Sequence, residues 1–155
     1  MNKKIAFIFG ITGQDGSYLA NLLINKNFKI FGFTRSKKKK NLVNLEKLSI
    51  LNKVNLFEYL KNDNKFIEKK ILKIKPSQIY ILSGLSSVKK SFSSPIETYR
   101  SNIIIPFKIL EICRKKKLDI KIYNSVSTDC FGNQKIILNE RSNFYPVSPY
   151  AKSKS

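Results

Sequence analysis

The stretch Ile5-Ala-Phe-Ile-Phe-Gly-Ile-Thr-Gly-Gln-Asp-Gly-Ser-Tyr-Leu19 decides the fold. It predicts a buried strand, then a glycine turn, then the first turn of an amphipathic helix. Such a turn aims backbone N–H groups and a helix N-terminus at a pyrophosphate. Within it, Gly10 would allow the tight turn, Gly13 the approach of the phosphates, and Gly16 the close packing of helix on strand. The candidate dinucleotide-binding residues here are Gly10, Ile11, Thr12, Gly13, Gln14, Asp15 and Gly16.

The rest of the chain alternates predicted strands with predicted helices. The predicted strands are residues 3–9, 29–34, 54–59, 78–82 and 119–124. The predicted helices are residues 17–25, a short helix around 42–51 in the basic loop 35–52, residues 64–75, residues 95–117 with a bend at Pro106, and a helix that begins at Pro149. Repeated β-α-β units require right-handed crossovers and a parallel sheet with helices on both faces. The predicted fold class is therefore α/β, a Rossmann-type doubly wound parallel sheet in one domain over residues 1–155.

Polar residues follow four of the predicted strands. These segments are residues 10–15, Arg35, residues 83–87 and residues 125–129. Open parallel sheets bind ligands outside the carboxyl ends of their strands. We therefore expect the four segments to converge on one cleft.

A second motif, Tyr150-Ala-Lys-Ser-Lys154, stands near the end of the sequence. One helical turn separates Tyr150 from Lys154, so the two side chains share a helix face. An ammonium beside a phenol favours the phenolate. Tyr150 is therefore a candidate general acid/base near neutral pH. The pattern occurs often by accident, and it gains weight here because it lies downstream of a dinucleotide turn.

The net charge of +20 invites a nucleic-acid interpretation, which we discount. The positive charge is nearly all lysine and is spread over the chain, apart from the run at residues 37–40, which we expect to be a solvated loop. A basic surface also favours anionic ligands such as nucleotide sugars. We therefore expect an anionic small-molecule ligand and no specific nucleic-acid partner.

The length of the apolar runs, the cysteine count and the lack of histidine limit the cellular compartment and the chemistry expected of this chain. No apolar run reaches the ~18 residues of a membrane-spanning helix, so we expect no membrane partner. The first strand starts directly after the N-terminal lysines, which argues against a signal peptide. The two cysteines, Cys113 and Cys130, are too few for a disulfide framework and fit a reducing cytoplasm. Because histidine is absent, Ser-His-Asp chemistry and His-ligated metal sites are excluded, and we expect no metal.

The end of the second predicted strand bears on cofactor choice. NAD binders usually carry an acidic residue there, which pairs with the ribose 2′-hydroxyl. This sequence has Thr34-Arg35-Ser36 instead. Since a guanidinium can grip a 2′-phosphate with two hydrogen bonds, Arg35 favours NADP over NAD. The alternative is that Arg35 is an ordinary surface arginine.

Together the motifs resemble the extended short-chain dehydrogenase/reductase family and, within it, the GDP-mannose 4,6-dehydratases. The residues that carry this likeness are Gly10-Ile-Thr-Gly-Gln-Asp-Gly-Ser-Tyr-Leu19, Ser86-Ser-Val-Lys-Lys-Ser-Phe-Ser-Ser-Pro95, Tyr123-Asn-Ser-Val-Ser-Thr-Asp-Cys-Phe-Gly132 and Phe144-Tyr-Pro-Val-Ser-Pro-Tyr-Ala-Lys-Ser-Lys154. The resemblance covers essentially the whole chain. Family members continue for roughly as long again, so we expect this sequence to be an N-terminal part that lacks the sugar-nucleotide domain. A full-length form is expected to be a homo-oligomer.

The resemblance implies an internal redox reaction on GDP-mannose. Tyr150 would take the proton of the sugar 4-hydroxyl while hydride moves from C4 to NADP. A carboxylate would then remove the C5 proton, water would leave from C6, and the hydride would return there. The product would be GDP-4-keto-6-deoxymannose, the first step toward GDP-deoxy-sugars such as GDP-fucose.

The resemblance also assigns individual roles. Lys154 would hold the nicotinamide ribose, and Ser127 would hydrogen-bond the 4-oxygen. Asp129 matches the family's glutamate base but is one methylene shorter, which leaves its reach to C5 open; the alternative is that it only caps a local turn. An Asp-Leu pair near the adenine has no clean match, and Asp63 would serve through a shifted register. The remaining cofactor contacts would be Leu82, Ser83, Ser86, Tyr150 and Lys154.

Two other functions stay open at this point. A related sugar-nucleotide epimerase or reductase would share the Tyr-x-x-x-Lys pair but need no carboxylate at Asp129. A non-catalytic dinucleotide-binding fragment is the other alternative, because the sequence ends inside a predicted helix without a C-cap. We expect no dehydratase turnover from the 155-residue chain alone.

Overall fold

The computed structural model describes residues 3–59 and 64–155. The strands of these residues are β1 (Ile5–Phe9), β2 (Lys29–Thr34), β3 (Val54–Glu58), β4 (Gln78–Ile81) and β5 (Lys121–Asn124). They form one sheet in the order β3-β2-β1-β4-β5, and every neighbouring pair is parallel. The strand order reverses between β1 and β4, which is the switch point where doubly wound sheets bind ligands. The predicted Rossmann-type parallel sheet is confirmed.

The helices of the described residues connect these strands and follow the last one. They are α1 (Gln14–Asn25), α2 (Val43–Lys47), α3 (Asn64–Ile74), α4 (Val88–Ser93), α5 (Pro95–Lys115) and α6 (Pro149–Lys154). Helix α1 begins three residues earlier than predicted, because Gly13 is its N-cap and Gly16 fits inside its first turn. Helix α4 was missed, since its six residues are too few to show an apolar period. Helix α5 runs through Pro106 without interruption, and the predicted bend there stays a prediction.

One face of the sheet is lined by aromatic rings. The register pairs Phe9 with Phe33 and Phe33 with Phe57, so their rings lie side by side across three strands. Phe9 and Phe33 stack with their ring centroids 4.3 Å apart. Helix α3 covers this face, where Phe66 meets the Phe57 ring edge-on and the Lys70 ammonium lies 4.0 Å from the Phe57 centroid.

The opposite face of the sheet packs aliphatic side chains against α1 and α2. Its buried cluster consists of Ala6, Ile8, Ile11, Ala20, Leu23, Ile30, Leu45 and Ile50. Gly32 makes room in β2 for one of them, because a Cβ at Gly32 would lie 2.4 Å from the Ile11 side chain. Each fully buried aliphatic side chain contributes about 1.5–3 kcal/mol relative to exposure. This burial fixes α1, and with it the glycine turn, on the sheet.

The chain divides into two compact units. The first covers residues 1–83 and 107–124 and contains the whole sheet. The second covers residues 84–106 and 125–155 and contains α4, the first part of α5 and α6. Within the described residues, no helix combines the length and the apolar character that crossing a membrane requires.

Candidate functional site

The glycine turn of the first unit forms a backbone cradle, and two of its glycines, Gly10 and Gly16, have no room for a Cβ. Gly10 has φ +85° and donates its N–H to the carbonyl of Phe33 over 3.0 Å. A Cβ there would lie 2.9 Å from the backbone nitrogen of Ser83. A Cβ at Gly16 would lie 2.2 Å from the carbonyl oxygen of Gly10. Because neither position has room for a Cβ, the structure fits the roles expected of Gly10 in the turn and of Gly16 in helix packing.

Helix α1 presents an uncapped N-terminus beside this cradle. Its N-cap is Gly13, which has no side chain that could accept from the first turn. The N–H groups of Gln14, Asp15 and Gly16 have no carbonyl partner one turn earlier in the helix. Gln14 and Asp15 are exposed. The turn thus offers backbone donors and the positive end of the helix dipole to an anionic group such as a diphosphate. Ile11 can contribute only its backbone, because its side chain is wholly buried.

A hydroxyl network ties the glycine turn to the end of β2. The Thr12 and Thr34 hydroxyl oxygens are 3.3 Å apart. Thr34 Oγ1 also donates to the carbonyl of Ser36 over 3.1 Å and accepts from its N–H at 3.3 Å. From α2, the Asn44 amide donates to the Thr12 carbonyl over 3.0 Å. Neither Thr34 nor Asn44 was singled out from the sequence as a positioning residue.

Two backbone N–H groups of the segment after β2 donate to side chains of the protein itself. The N–H of Lys37 donates to Oε2 of Glu58 at 3.3 Å, and that of Lys38 donates to Oγ of Ser36 at 3.2 Å. Arg35 is exposed at the start of this segment. An anion bound here would therefore be held by side chains. Among these, the planar Arg35 guanidinium can donate two parallel hydrogen bonds to a phosphate.

Tyr59 lies at the end of β3 and was missed in the sequence analysis. Its ring packs edge-on against Phe9, with the centroids 5.9 Å apart, and it is 5% exposed. Burial raises the pKa of Tyr59, while the nearby Ser83 hydroxyl and the Arg35 charge act in the opposite direction. Ser83 Oγ is close enough to influence the Tyr59 pKa but has no partner in hydrogen-bond geometry among the described residues. The ends of β2, β3 and β4 therefore bring Arg35, Tyr59 and Ser83 together.

The remaining predicted cofactor residues have different outcomes. Leu82 donates its N–H to the Phe9 carbonyl over 3.0 Å, which places it beside the glycine turn. Ser86 is exposed in the second unit, just before the N-cap of α4. Asp63 lies outside the described residues, and its assignment stays a prediction.

In the second unit, Ser127 begins the 3₁₀ turn Thr128–Phe131. Its hydroxyl oxygen accepts from the N–H of Asp129 at 3.3 Å, which leaves the hydroxyl proton free to be donated. The side chain that caps this turn is therefore that of Ser127. The alternative interpretation in the sequence analysis had given the cap to Asp129. Asp129 is exposed.

Helix α6 holds the predicted acid/base pair. The Ser148 hydroxyl caps it by accepting from the N–H of Ala151 at 3.0 Å, and Pro149 is the first helical residue. Tyr150 and Lys154 follow one turn apart, and Tyr150 is 8% exposed. The Lys154 ammonium donates to the carbonyl of Ser125 over 2.8 Å. This bond ties Lys154 to the segment that carries Ser127, only two residues further on.

The protonation of Lys154 gives a pH-dependent prediction. Burial lowers the pKa of Lys154 from its ordinary value of 10.5, and the Cys130 thiol acts in the opposite direction. The folded state therefore binds fewer protons than the unfolded state between the lowered pKa and 10.5, so this group makes stability rise with pH through that window.

We expect wild type to gain stability relative to Lys154→Met as the pH rises toward 10.5. Urea unfolding of both proteins from pH 7 to pH 10.5 measures the difference. Lys152→Met, an exposed position on the same helix, is the control and should show no such trend. A difference that falls with pH would contradict the assigned direction.

Solved structures with this fold include nucleotide-sugar epimerases. The UDP-Glc/GlcNAc 4-epimerase of Campylobacter jejuni has a TM-score of 0.85 at 21% identity, and the match covers 97% of this chain and 46% of that one. The UDP-glucose 4-epimerase of Bifidobacterium longum, in complex with NAD+ and UDP, has a TM-score of 0.83 at 23% identity with the same coverage. This chain shares the Rossmann-type fold of these epimerases.

The sequence comparisons are more specific. The family model described as GDP-mannose 4,6 dehydratase matches residues 7–155. A GDP-mannose 4,6-dehydratase of Vibrio cholerae is 34% identical over 165 aligned residues, covering 99% of this chain and 43% of that protein. This chain belongs to the GDP-mannose 4,6-dehydratase family, which confirms the resemblance. It spans less than half the length of the curated relatives it matches.

Proposed function

We propose that this chain supplies the dinucleotide-binding and acid/base residues of an NADP-dependent GDP-mannose 4,6-dehydratase. The observation that carries the proposal is the arrangement of α6. It sets Tyr150 and Lys154 one turn apart and ties the Lys154 ammonium to the segment that bears Ser127 and Asp129. A helix that served only packing would have no need to bury a lysine against this carbonyl.

The first unit fits the proposed cofactor. The glycine turn and the uncapped α1 N-terminus would take the diphosphate, because the N-cap Gly13 places no side chain beside these backbone donors. Arg35 would pair with a 2′-phosphate, and no acidic residue stands at the end of β2. Bound NADP would supply a reversible hydride acceptor. These features support NADP, and the cofactor preference is part of the proposal.

The second unit supplies the proton chemistry in this proposal. The Tyr150 phenol would take the proton from the sugar 4-hydroxyl, while the Ser127 hydroxyl would donate to the same oxygen and stabilise its developing charge. The Asp129 carboxylate would remove the C5 proton, which the 4-ketone makes acidic. The proton taken by Asp129 would leave with the C6 hydroxyl as water, and the proton held by Tyr150 would pass to C5 as the hydride returns to C6, so that both groups are restored. GDP-mannose is proposed here from family membership.

A chimera tests this proposal. It joins the present chain to the part of the Vibrio cholerae relative beyond the aligned residues, and it is incubated with GDP-mannose and NADP. Mass spectrometry and NMR should show a 4-keto-6-deoxy sugar nucleotide. Asp129→Asn in the chimera should lower the rate by at least about a hundredfold, since general-base catalysis contributes about 10²–10⁴-fold. Asp129→Glu is the matched control, because it keeps the carboxylate and restores the family's reach.

Two results would overturn the proposal. Formation of a C4 epimer would assign the chemistry to an epimerase. An Asp129→Asn chimera that dehydrates GDP-mannose at the unmodified rate would remove Asp129 from the base role.

Arg35→Ala should weaken NADPH binding by about 10- to 100-fold and leave NADH binding unchanged. The reason is that charge-assisted hydrogen bonds contribute about 1.5–3 kcal/mol, and only the 2′-phosphate of NADPH would make them. Fluorescence titration of both cofactors measures the ratio of the two dissociation constants. Arg114→Ala, which removes an exposed arginine paired with Glu111, is the control. Equal weakening of NADPH and NADH would show that Arg35 does not read the phosphate.

A further inference from the structure

Glu58 is an acidic residue at the carboxyl end of β3, beside the end of β2. The strand register pairs it with Thr34, the last residue of β2. Its neighbours Phe57 and Tyr59 both pack against the Phe33 ring on the aromatic face of the sheet. Because successive side chains of a strand point to opposite faces, Glu58 points to the other face, where it is exposed.

The Glu58 carboxylate bonds the backbone of the segment after β2. Its Oε2 accepts from the Lys37 N–H at 3.3 Å, and among the described residues it has no lysine or arginine as an ion-pair partner. The next N–H, that of Lys38, donates to the Ser36 hydroxyl oxygen, while the Ser36 backbone bonds to the Thr34 hydroxyl. The segment 36–38 is therefore held from two strands, by Thr34 of β2 and by Glu58 of β3.

This arrangement adds a carboxylate to the segment that follows Arg35. NAD binders carry an acidic residue at the end of the second strand, where it accepts from the ribose 2′-hydroxyl. Here the last residue of β2 is Thr34, and the carboxylate comes from the neighbouring strand, onto the N–H two positions after Arg35. Like charges repel, so Arg35 and Glu58 act in opposite directions on an anion bound at this segment.

We propose that Glu58 is a specificity-determining residue of the cofactor site, with two effects. Its hydrogen bond to the Lys37 N–H holds the segment 36–38 in place beside Arg35. Its charge opposes a 2′-phosphate, so that the preference for NADPH over NADH is smaller than Arg35 alone would give. The inference rests on the proposed function, which assigns Arg35 to the 2′-phosphate.

Glu58→Gln separates the two effects, because the glutamine side-chain oxygen can still accept from the Lys37 N–H after the charge is removed. Fluorescence titration at low salt should show NADPH binding tightened by about three- to tenfold and NADH binding changed by less than about twofold. The gain should shrink as the salt concentration rises from about 0.02 M to about 0.5 M. Glu68→Gln is the matched control, since it removes the same charge from α3, where Glu68 pairs with Lys116.

The hold on the segment is measured without a cofactor. Amide hydrogen exchange is recorded by NMR on the 155-residue chain. Glu58→Ala should speed exchange of the Lys37 amide by about fivefold, the equivalent of one lost hydrogen bond. Glu58→Gln and Glu68→Gln should leave this exchange close to that of wild type.

The outcomes separate this inference from the proposed function. An NADPH/NADH ratio that is unchanged in Glu58→Gln, or raised equally by Glu68→Gln, overturns the specificity role. Unchanged Lys37 exchange in Glu58→Ala overturns the hold on the segment. If wild type binds neither cofactor, the proposed function fails and takes the specificity role with it, while the exchange of the Lys37 amide still decides whether Glu58 holds the segment.

Discussion

Gly16→Ala should destabilise the protein by about 4 kcal/mol or more. An alanine inside a helix ordinarily gains about 1 kcal/mol over glycine. Here the new Cβ would lie 2.2 Å from the carbonyl oxygen of Gly10 and 2.8 Å from Cα of Ile11. Both atoms belong to the backbone, which cannot move aside without displacing the turn or α1 from β1. The turn is also held by the bond from the Gly10 N–H to Phe33, so relief at one contact breaks another.

Gly13→Ala is the matched control, three residues earlier in the same turn. Gly13 has φ −73° and ψ 172°, which any residue adopts, and its Cβ would lie 3.3 Å from the Gly10 carbonyl oxygen, where a small shift relieves the contact. Urea unfolding should show Gly13→Ala close to wild type and Gly16→Ala far below it. Gly13→Ala should nevertheless weaken NADPH binding, because its methyl group would occupy exposed space beside the α1 N-terminus. Equal stability of the two variants would refute the packing role of Gly16.

The sheet could be predicted from sequence because its determinants are local and periodic. Strand β2 has the predicted bounds of 29–34, since its apolar residues lie between Lys29 and Arg35. The glycine spacing after β1 indicated the turn because it follows an apolar strand and precedes an amphipathic helix. Helix α4 could not be found this way, because Lys89, Lys90 and its two serines leave no clear apolar face, and its start is marked by the Ser87 hydroxyl that accepts from the Lys90 N–H.

The acid/base residues could be predicted from a sequence motif, whereas the residues that hold them in place could be identified only from the fold. Lys154 was predicted from its spacing to Tyr150, but its bond to Ser125 joins positions 29 residues apart. The Asn102 side chain bonds Leu85, 17 residues away, and Ser153, 51 residues away, so no local pattern links them. One signal was available: an asparagine on the buried face of an apolar helix requires partners. Tyr59 gave no comparable signal, because an aromatic residue at a strand end is ordinary in sequence.

Phe33→Ala should cost about 3–5 kcal/mol of unfolding free energy, a large share of the 5–15 kcal/mol that a domain usually has. Phe33 is fully buried in the central strand pair, and its ring centroid lies 4.3 Å from that of Phe9, 5.0 Å from Phe7 and 5.4 Å from Phe57. Truncation removes the ring from these three neighbours and leaves a cavity between two strands that are held in register, so collapse around it is limited.

Phe92→Ala provides the comparison, since the same change is made to a ring that is 61% exposed on α4. Urea unfolding at pH 7 should place Phe92→Ala within about 0.5 kcal/mol of wild type. Phe33→Leu should fall between the two, because it keeps most of the buried volume but loses the ring stacking. The Phe33 carbonyl also accepts from Gly10, and Tyr59 packs against the Phe33 ring with the centroids 6.2 Å apart. Loss of the ring should therefore loosen the glycine turn as well as the core, and Phe33→Ala should bind NADPH less tightly than Phe33→Leu even where both are folded. A stability loss for Phe33→Ala no greater than that of Phe92→Ala would mean that the aromatic face does not hold the sheet together.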